Sequence, residues 1–158
     1  MRLLHGQRGL TSAIQIVPFR LRHLPRVLRI ERASFGADAW PRKYFLALYR
    51  DCREYFVVAK AGGRIAGYAV ACAGQRDAEI ASIAVHPDYR RRGVAYALMR
   101  HTLGALRKGG IRRVELMVRT GNTAGARLYR SLGFRRVRTI ARYYEDGGDA
   151  FLMARAIQ

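Results

Sequence analysis

The chain has 158 residues, half of them hydrophobic, which suits one globular domain with a buried core. Lys and Arg total 30 against 11 Asp and Glu, a net charge of +19 that points to an anionic partner or to an arginine-biased genome. No apolar run approaches the roughly 18 residues of a membrane span. Nearly all of the basic excess is arginine, the lysines being Lys43, Lys60 and Lys108. Cys52 and Cys72 are too few for a disulfide framework and too far apart for metal-ligand spacing, so they read as small buried hydrophobes in a reducing cytoplasm. No metal site is expected.

Residues 1–13 lack the apolar stretch of a secretory signal and read as a loose lead-in to one domain over 14–158. Ile14 to Phe19 alternates like a strand and stops at Pro18. Leu24, Val27, Leu28 and Ile30 give Leu21 to Phe35 a helical spacing, Gly36 to Pro41 a loop, and Tyr44, Phe45, Leu48 and Tyr49 a helix over Arg42 to Asp51. Strands follow at Tyr55 to Ala59 and Arg64 to Ala73 around the turn Gly62-Gly63, then at Ala78 to Val85. Gly93 to Lys108 is a helix stopped by Gly109-Gly110, Arg112 to Val118 a strand, and Asn122 to Leu132 a helix ended by Gly133. Phe134 to Arg142 and Ala150 to Ile157 are strands around the turn 146–149. Consecutive strands predict an antiparallel portion and the β-α-β stretch from Ala78 to Val118 a parallel one. The result is an α/β class fold with a mixed sheet flanked by helices.

The junction of strand and helix at Arg90-Arg91-Arg92-Gly93-Val94-Ala95 carries chemistry. A tight turn feeding a helix N-terminus leaves backbone N–H groups unpaired and adds the positive end of the helix dipole, which together suit a phosphate. Gly93 and Ala95 allow close backbone approach, and the arginines add attraction.

With Ile83 to Tyr89 before it and the helix after it, this segment resembles the acetyl-CoA motif of the GNAT acetyltransferase superfamily, Gln/Arg-x-x-Gly-x-Gly/Ala, with Arg90, Gly93 and Ala95 at the fixed positions. Asn122 to Phe134, including Ala126, Tyr129 and Gly133, is similar to that family's second cofactor motif. Within the superfamily the chain most resembles the ribosomal-protein alanine N-acetyltransferases. The shared segments are Ile30 to Phe35 with Trp40, Leu116-Met117-Val118-Arg119, and Tyr143-Tyr144 with Asp149-Ala150. The resemblance implies a GNAT fold, acetyl-CoA as co-substrate, and backbone contacts to pantetheine from Ile83, Ala84 and Val85, with Val85 N–H as oxyanion donor. Asn122 would bond the pantetheine arm or cap its helix. One departure matters: where those relatives carry the glutamate proposed as general base, this chain has Met117, which accepts no proton.

Acetyl transfer needs an amine that loses its proton, a stabilised oxyanion and a proton for the departing thiolate. Glu79 is the candidate base. It lies six residues before Val85, an even spacing that predicts one shared strand face, and histone-type members carry a catalytic glutamate at this offset. Tyr129, at the family's tyrosine position, is the candidate acid, with a phenol expected near pKa ~10. Phe35, Trp40, Tyr143 and Tyr144 are candidates for the acceptor groove. The favoured acceptor is a protein N-terminal α-amine or a lysine, in a monomer or homodimer, with ribosome proximity suggested by the charge. The alternatives are a small amine, an RNA- or ribosome-binding protein, and a catalytically dead cofactor sensor.

Overall fold

The computed structural model describes residues 13–157. The strands are β1 (Ile14–Pro18), β2 (Phe56–Ala61), β3 (Arg64–Ala73), β4 (Asp77–Val85), β5 (Arg113–Arg119), β6 (Arg135–Ile140) and β7 (Ala150–Ala156). They form one sheet in the order β1-β2-β3-β4-β5-β7-β6, antiparallel except for β4 beside β5. The helices are α1 (Leu24–Phe35), α2 (Arg42–Asp51), α3 (Val94–Lys108) and α4 (Thr123–Ser131). The expected mixed sheet flanked by helices is therefore present, while the expected lead-in falls almost wholly outside the described residues.

Each helix buries one stripe against the sheet. In α1, Leu24, Val27, Ile30 and Glu31 recur at the i, i+3, i+6, i+7 spacing of one face, and Pro25 sits in the first turn, where an N–H has no helical partner. They pack with Phe45 of α2 against Phe56, Val58, Tyr68 and Ala84 on one side of the sheet. On the other side, Val94 and Leu98 of α3 meet Val57 and Ala69, and Met99, Leu103 and Leu106 join Tyr129 of α4 against Val114, Leu116 and Met153. Thus α1 and α2 cover one face, and α3 and α4 the other.

Two features of β4 position everything that follows. First, β4 and β5 pair only over Asp77↔Arg113, Ala78↔Val114 and Glu79↔Glu115, after which they diverge. β3 holds the far side of β4 as far as Val85, and β7 holds the far side of β5 as far as Arg119. The parallel junction therefore opens into a wedge. Second, the β3–β4 register slips where Val70 faces Ser82 and Ala71 faces Ile80, leaving Ala81 as a bulge.

The bulge corrects the expected placement of Glu79. Ala78 and Ile80 point toward α3, as do Ile83 and Val85, while Ala81 and Ala84 point toward α1 and α2. The extra residue breaks the even-spacing rule, so Glu79 and Val85 lie on opposite faces.

Gly67 of β3 faces Val85, and a Cβ there would stand 2.7 Å from the Ala84 carbonyl oxygen and 3.2 Å from Leu98 Cδ1. Gly67→Ala should cost about 1–3 kcal/mol by forcing β3 from β4. That is a fall of roughly 3–10 °C in Tm for a chain of this size. An unchanged melting curve would show that the two strands have room to part.

Two further expectations are corrected. The strand expected to run to Arg142 stops at Ile140, because Arg142 turns to φ 53° and its N–H bonds the Asp149 carboxylate at 3.0 Å. The cysteines are not separate buried thiols but a disulfide. The end of α2 crosses the end of β3 and brings the two Cα atoms to 5.0 Å, although 20 residues separate them in sequence.

Candidate active site

The turn before α3 is built for an anion. Arg91 and Gly93 both adopt left-handed backbone, φ 62° and 77°. The first α3 bond runs from Ala97 N–H to the Gly93 carbonyl, and no side chain caps the helix. The N–H groups of Gly93, Val94, Ala95 and Tyr96 therefore have no helical partner and gather at the positive end of the dipole. Val94 is buried and anchors the turn to the core. Arg90 Nε donates to the Val85 carbonyl at 3.2 Å, so its side chain fastens the loop to β4, while the Arg92 guanidinium lies 5.4 Å from the Tyr89 ring centroid. The loop offers a phosphate backbone amides first and arginine charge second.

From this turn the open edge of β4 runs back along the wedge. His86 N–H bonds the Ala66 carbonyl of β3 at 2.8 Å, and strand alternation turns the Val85 N–H the other way, into the wedge. Ile83 presents its backbone groups on that same edge, whereas those of Ala84 face β3. An extended amide-bearing arm can pair with such an edge as a strand would.

α4 closes the wedge from the α3 side. Asn122 accepts the Gly125 N–H at 2.9 Å, so it caps the helix and keeps its amide N–H₂ to donate elsewhere. Ala126 is buried and leaves room one turn before Tyr129. The Tyr129 ring is 8% exposed and meets Phe134 edge-on. The fully enclosed, unpartnered side-chain atoms among the described residues are His23 Nε2 and Thr102 Oγ1, so the Tyr129 hydroxyl, without a protein partner, still reaches open space. Burial pushes the phenol up to about 12, with Tyr144 adding to the shift. That is well above the ~10 expected of an ordinary tyrosine.

The other mouth of the wedge lies under α1 and α2. Val114, Leu116 and Val118 face α3 and α4, so Glu115, Met117 and Arg119 face this mouth with Glu79. Partial desolvation, and then the Glu115 charge beside it, raise the Glu79 pKa. Arg119 ties the rim together. Its guanidinium bonds Asp38 of the α1–α2 connection at 2.5 Å and Asp146 of the β6–β7 turn at 3.1 Å, and stacks 4.0 Å from the Tyr144 ring centroid. Tyr143 and Tyr144 meet edge-on at 5.0 Å, with Tyr143 46% exposed over the cleft rim. Phe35, 41% exposed, ends α1 on the same rim. Trp40 is more enclosed: its ring packs on Tyr44 and Phe45, and its backbone N–H donates to Glu31 at 2.8 Å. Glu31 is 1% exposed, which raises its pKa, and it also accepts from the Tyr68 hydroxyl, which reaches Ser82 at 2.8 Å.

Several residues in this arrangement carry no role in the sequence reading. Arg119 ends the segment Leu116-Met117-Val118-Arg119, but its partners are 81 and 27 residues away. Glu115 stood two residues from Met117, and only the strand register sets it beside Glu79. Arg119→Ala should quicken amide exchange across residues 36–41 and 143–149, which the two ion pairs tie to the end of β5. Unchanged exchange would show that the two loops are held by other contacts.

The sheet thus parts between its two parallel strands, with an anion-binding turn at one end and paired carboxylates at the other. The chain belongs to the GNAT acetyltransferase family, whose model matches residues 24–134. The N-alpha-acetyltransferase RimI of Mycobacterium tuberculosis is 39% identical over 136 residues, covering 82% of this chain and 84% of that protein. The ribosomal protein bS18-alanine N-acetyltransferase of Escherichia coli is 34% identical over 134 residues, covering 83% and 89%. The crystal structure of Ard1 from Thermoplasma volcanium superposes with a TM-score of 0.89 at 30% identity, covering 93% of this chain and 99% of that one. The protein is an acetyl-CoA-dependent N-acetyltransferase. No helix among the described residues is long and apolar enough to cross a membrane.

Proposed function

We propose that the acceptor is the α-amino group of a protein N-terminus, entering under α1 and α2, with the acetyl donor entering from the α3 and α4 side. The opening of the sheet beyond Glu79↔Glu115 carries this reading, because it lets groups on opposite faces meet. The relatives named for N-terminal and ribosomal-protein acetylation support the same acceptor class. A net charge of +19 favours work beside anionic assemblies such as the ribosome, and therefore in the cytoplasm.

The residues present fit acetyl-CoA. The unpaired amides from Gly93 to Tyr96 suit its pyrophosphate, and the open edge at Ile83 and Val85 suits its pantetheine amides. When bound, it supplies an activated acetyl thioester. The Val85 N–H donates to developing negative charge in the wedge. Glu79 takes a proton from the incoming ammonium, directly or through one water, because a free α-amine of pKa ~7.7–8.0 is mostly protonated at neutral pH. Tyr129, on the other face, would offer its hydroxyl to the departing sulfur. Tyr143, Tyr144 and Phe35 line the rim over which the acceptor chain leaves, and Trp40 lies behind it.

CoA release measured with free N-terminal peptides, the same peptides blocked at the N-terminus, and small primary amines tests the proposal. Turnover of the free peptides alone is expected. Equal turnover of small amines would assign the enzyme to metabolite acetylation, and no turnover of any free peptide would overturn the proposed acceptor.

A further inference from the structure

The Cys52–Cys72 disulfide takes no part in the chemistry above, yet it sits against the acceptor cleft. Cys52 ends α2, its N–H bonded to the Leu48 carbonyl at 2.7 Å. Cys72, near the end of β3, lies directly across from Glu79 of β4. Cross-strand partners share a face, so the bond joins α2 to the strand position beside the candidate base. Phe45 is the one fully buried residue of α2; its C-terminal half is held by the partly buried Leu48 and Tyr49 and by the disulfide itself, so opening the bond removes a large share of what fastens it. Both cysteines also line an open cavity of about 320 Å³ with Trp40, Tyr44, Ala47 and Leu48, through which a small thiol can reach the bond. The sequence contains no other cysteine to compete for exchange.

We propose that Cys52–Cys72 is a thiol–disulfide exchange site, open to dithiol reductants in the native protein, whose state sets acceptor binding and leaves cofactor binding alone. A reductant thiolate attacks one sulfur and forms a mixed disulfide, and the other cysteine leaves as a thiolate that takes up a proton. The second reductant thiol then displaces the first cysteine. In total the protein gains two electrons and two protons, and the reductant becomes a disulfide. The reduced form frees the end of α2 from β3 and loosens the cavity wall beside Glu79. The anion turn and α4, on the other face of the sheet, stay as they are. The acceptor half of this proposal rests on the function proposed above; the exchange half does not.

The test uses the wild-type protein incubated with oxidised glutathione or with dithiothreitol. Maleimide labelling without denaturant should find no thiol in the first sample and both in the second. Reduction should lower Tm by roughly 6–12 °C, as expected for opening a bond across about 20 residues. Amide exchange should quicken over residues 42–55 and stay unchanged in α3 and α4. The KM for a peptide acceptor with a free N-terminus should rise several-fold with a constant acetyl-CoA KM, and a Cys52→Ser/Cys72→Ser double variant should behave as the reduced form in both conditions. Two labelled thiols after glutathione oxidation, or identical exchange over 42–55 in the two states, would overturn the site. An acceptor KM indifferent to reduction would overturn its role. If no peptide is turned over, the proposed acceptor fails while labelling and exchange still decide the site.

Discussion

Glu79→Gln should lower kcat/KM for a peptide acceptor by about 10²–10⁴ at neutral pH, the range that a positioned general base contributes. The loss should shrink as pH rises past the acceptor amine's pKa of ~7.7–8.0, because the amine then arrives without its proton. The sign of the acid limb follows from the site. Partial desolvation and the Glu115 charge both raise the Glu79 pKa, and the base works only when ionised. Activity is therefore lost as pH falls through that raised value. Glu115→Gln removes the like charge, so its acid limb should move to lower pH while the activity on the plateau remains. A Glu79→Gln profile parallel to wild type at every pH would remove Glu79 from proton transfer and leave it an ordinary strand carboxylate.

Tyr129→Phe should lower kcat by about 10–150-fold with little change in the acetyl-CoA KM. That is the range expected when a hydrogen bond to a charged group is lost. The raised phenol pKa sharpens the role. A group at about 12 stays protonated throughout any practical assay. Complete transfer of its proton to a thiolate of pKa ~8.5 runs uphill by on the order of 5 kcal/mol. In the proposed reaction Tyr129 would therefore donate a hydrogen bond to the departing sulfur, and the proton that neutralises the thiolate would come from solvent or from the new ammonium product. The basic side of the kcat profile should accordingly show no Tyr129 limb below pH ~10. A limb that disappears in the phenylalanine variant would restore direct proton donation, and wild-type turnover would return Tyr129 to packing.

What the sequence revealed, and what it hid, divides by distance along the chain. The anion turn was legible because its parts are neighbours: a strand end, Arg90 to Ala95, and a helix whose first amides have nowhere else to bond. Asn122 was legible as a cap for the same reason. The face of Glu79 was not, because the Ala81 bulge arises from pairing with β3, and one extra residue reverses every parity before it. That reversal places Glu79 on the face covered by α1 and α2 and leaves Tyr129 on the face covered by α3 and α4, with the wedge between them. The cysteine pair was misread because only the packing of α2 over β3 brings the two together. The rim bonds of Arg119 join the end of β5 to two connections that have no sequence proximity to it. In each case a tertiary contact set the chemistry, while the local pattern set only the element.

Mass-spectrometric mapping of the acetyl group on a peptide carrying both a free N-terminal alanine and an internal lysine tests the central claim most directly. Entry of a chain terminus under α1 and α2 predicts one acetyl group on the α-amine and none on the lysine. Acetylation of the lysine, or of neither amine while acetyl-CoA still binds, would contradict it.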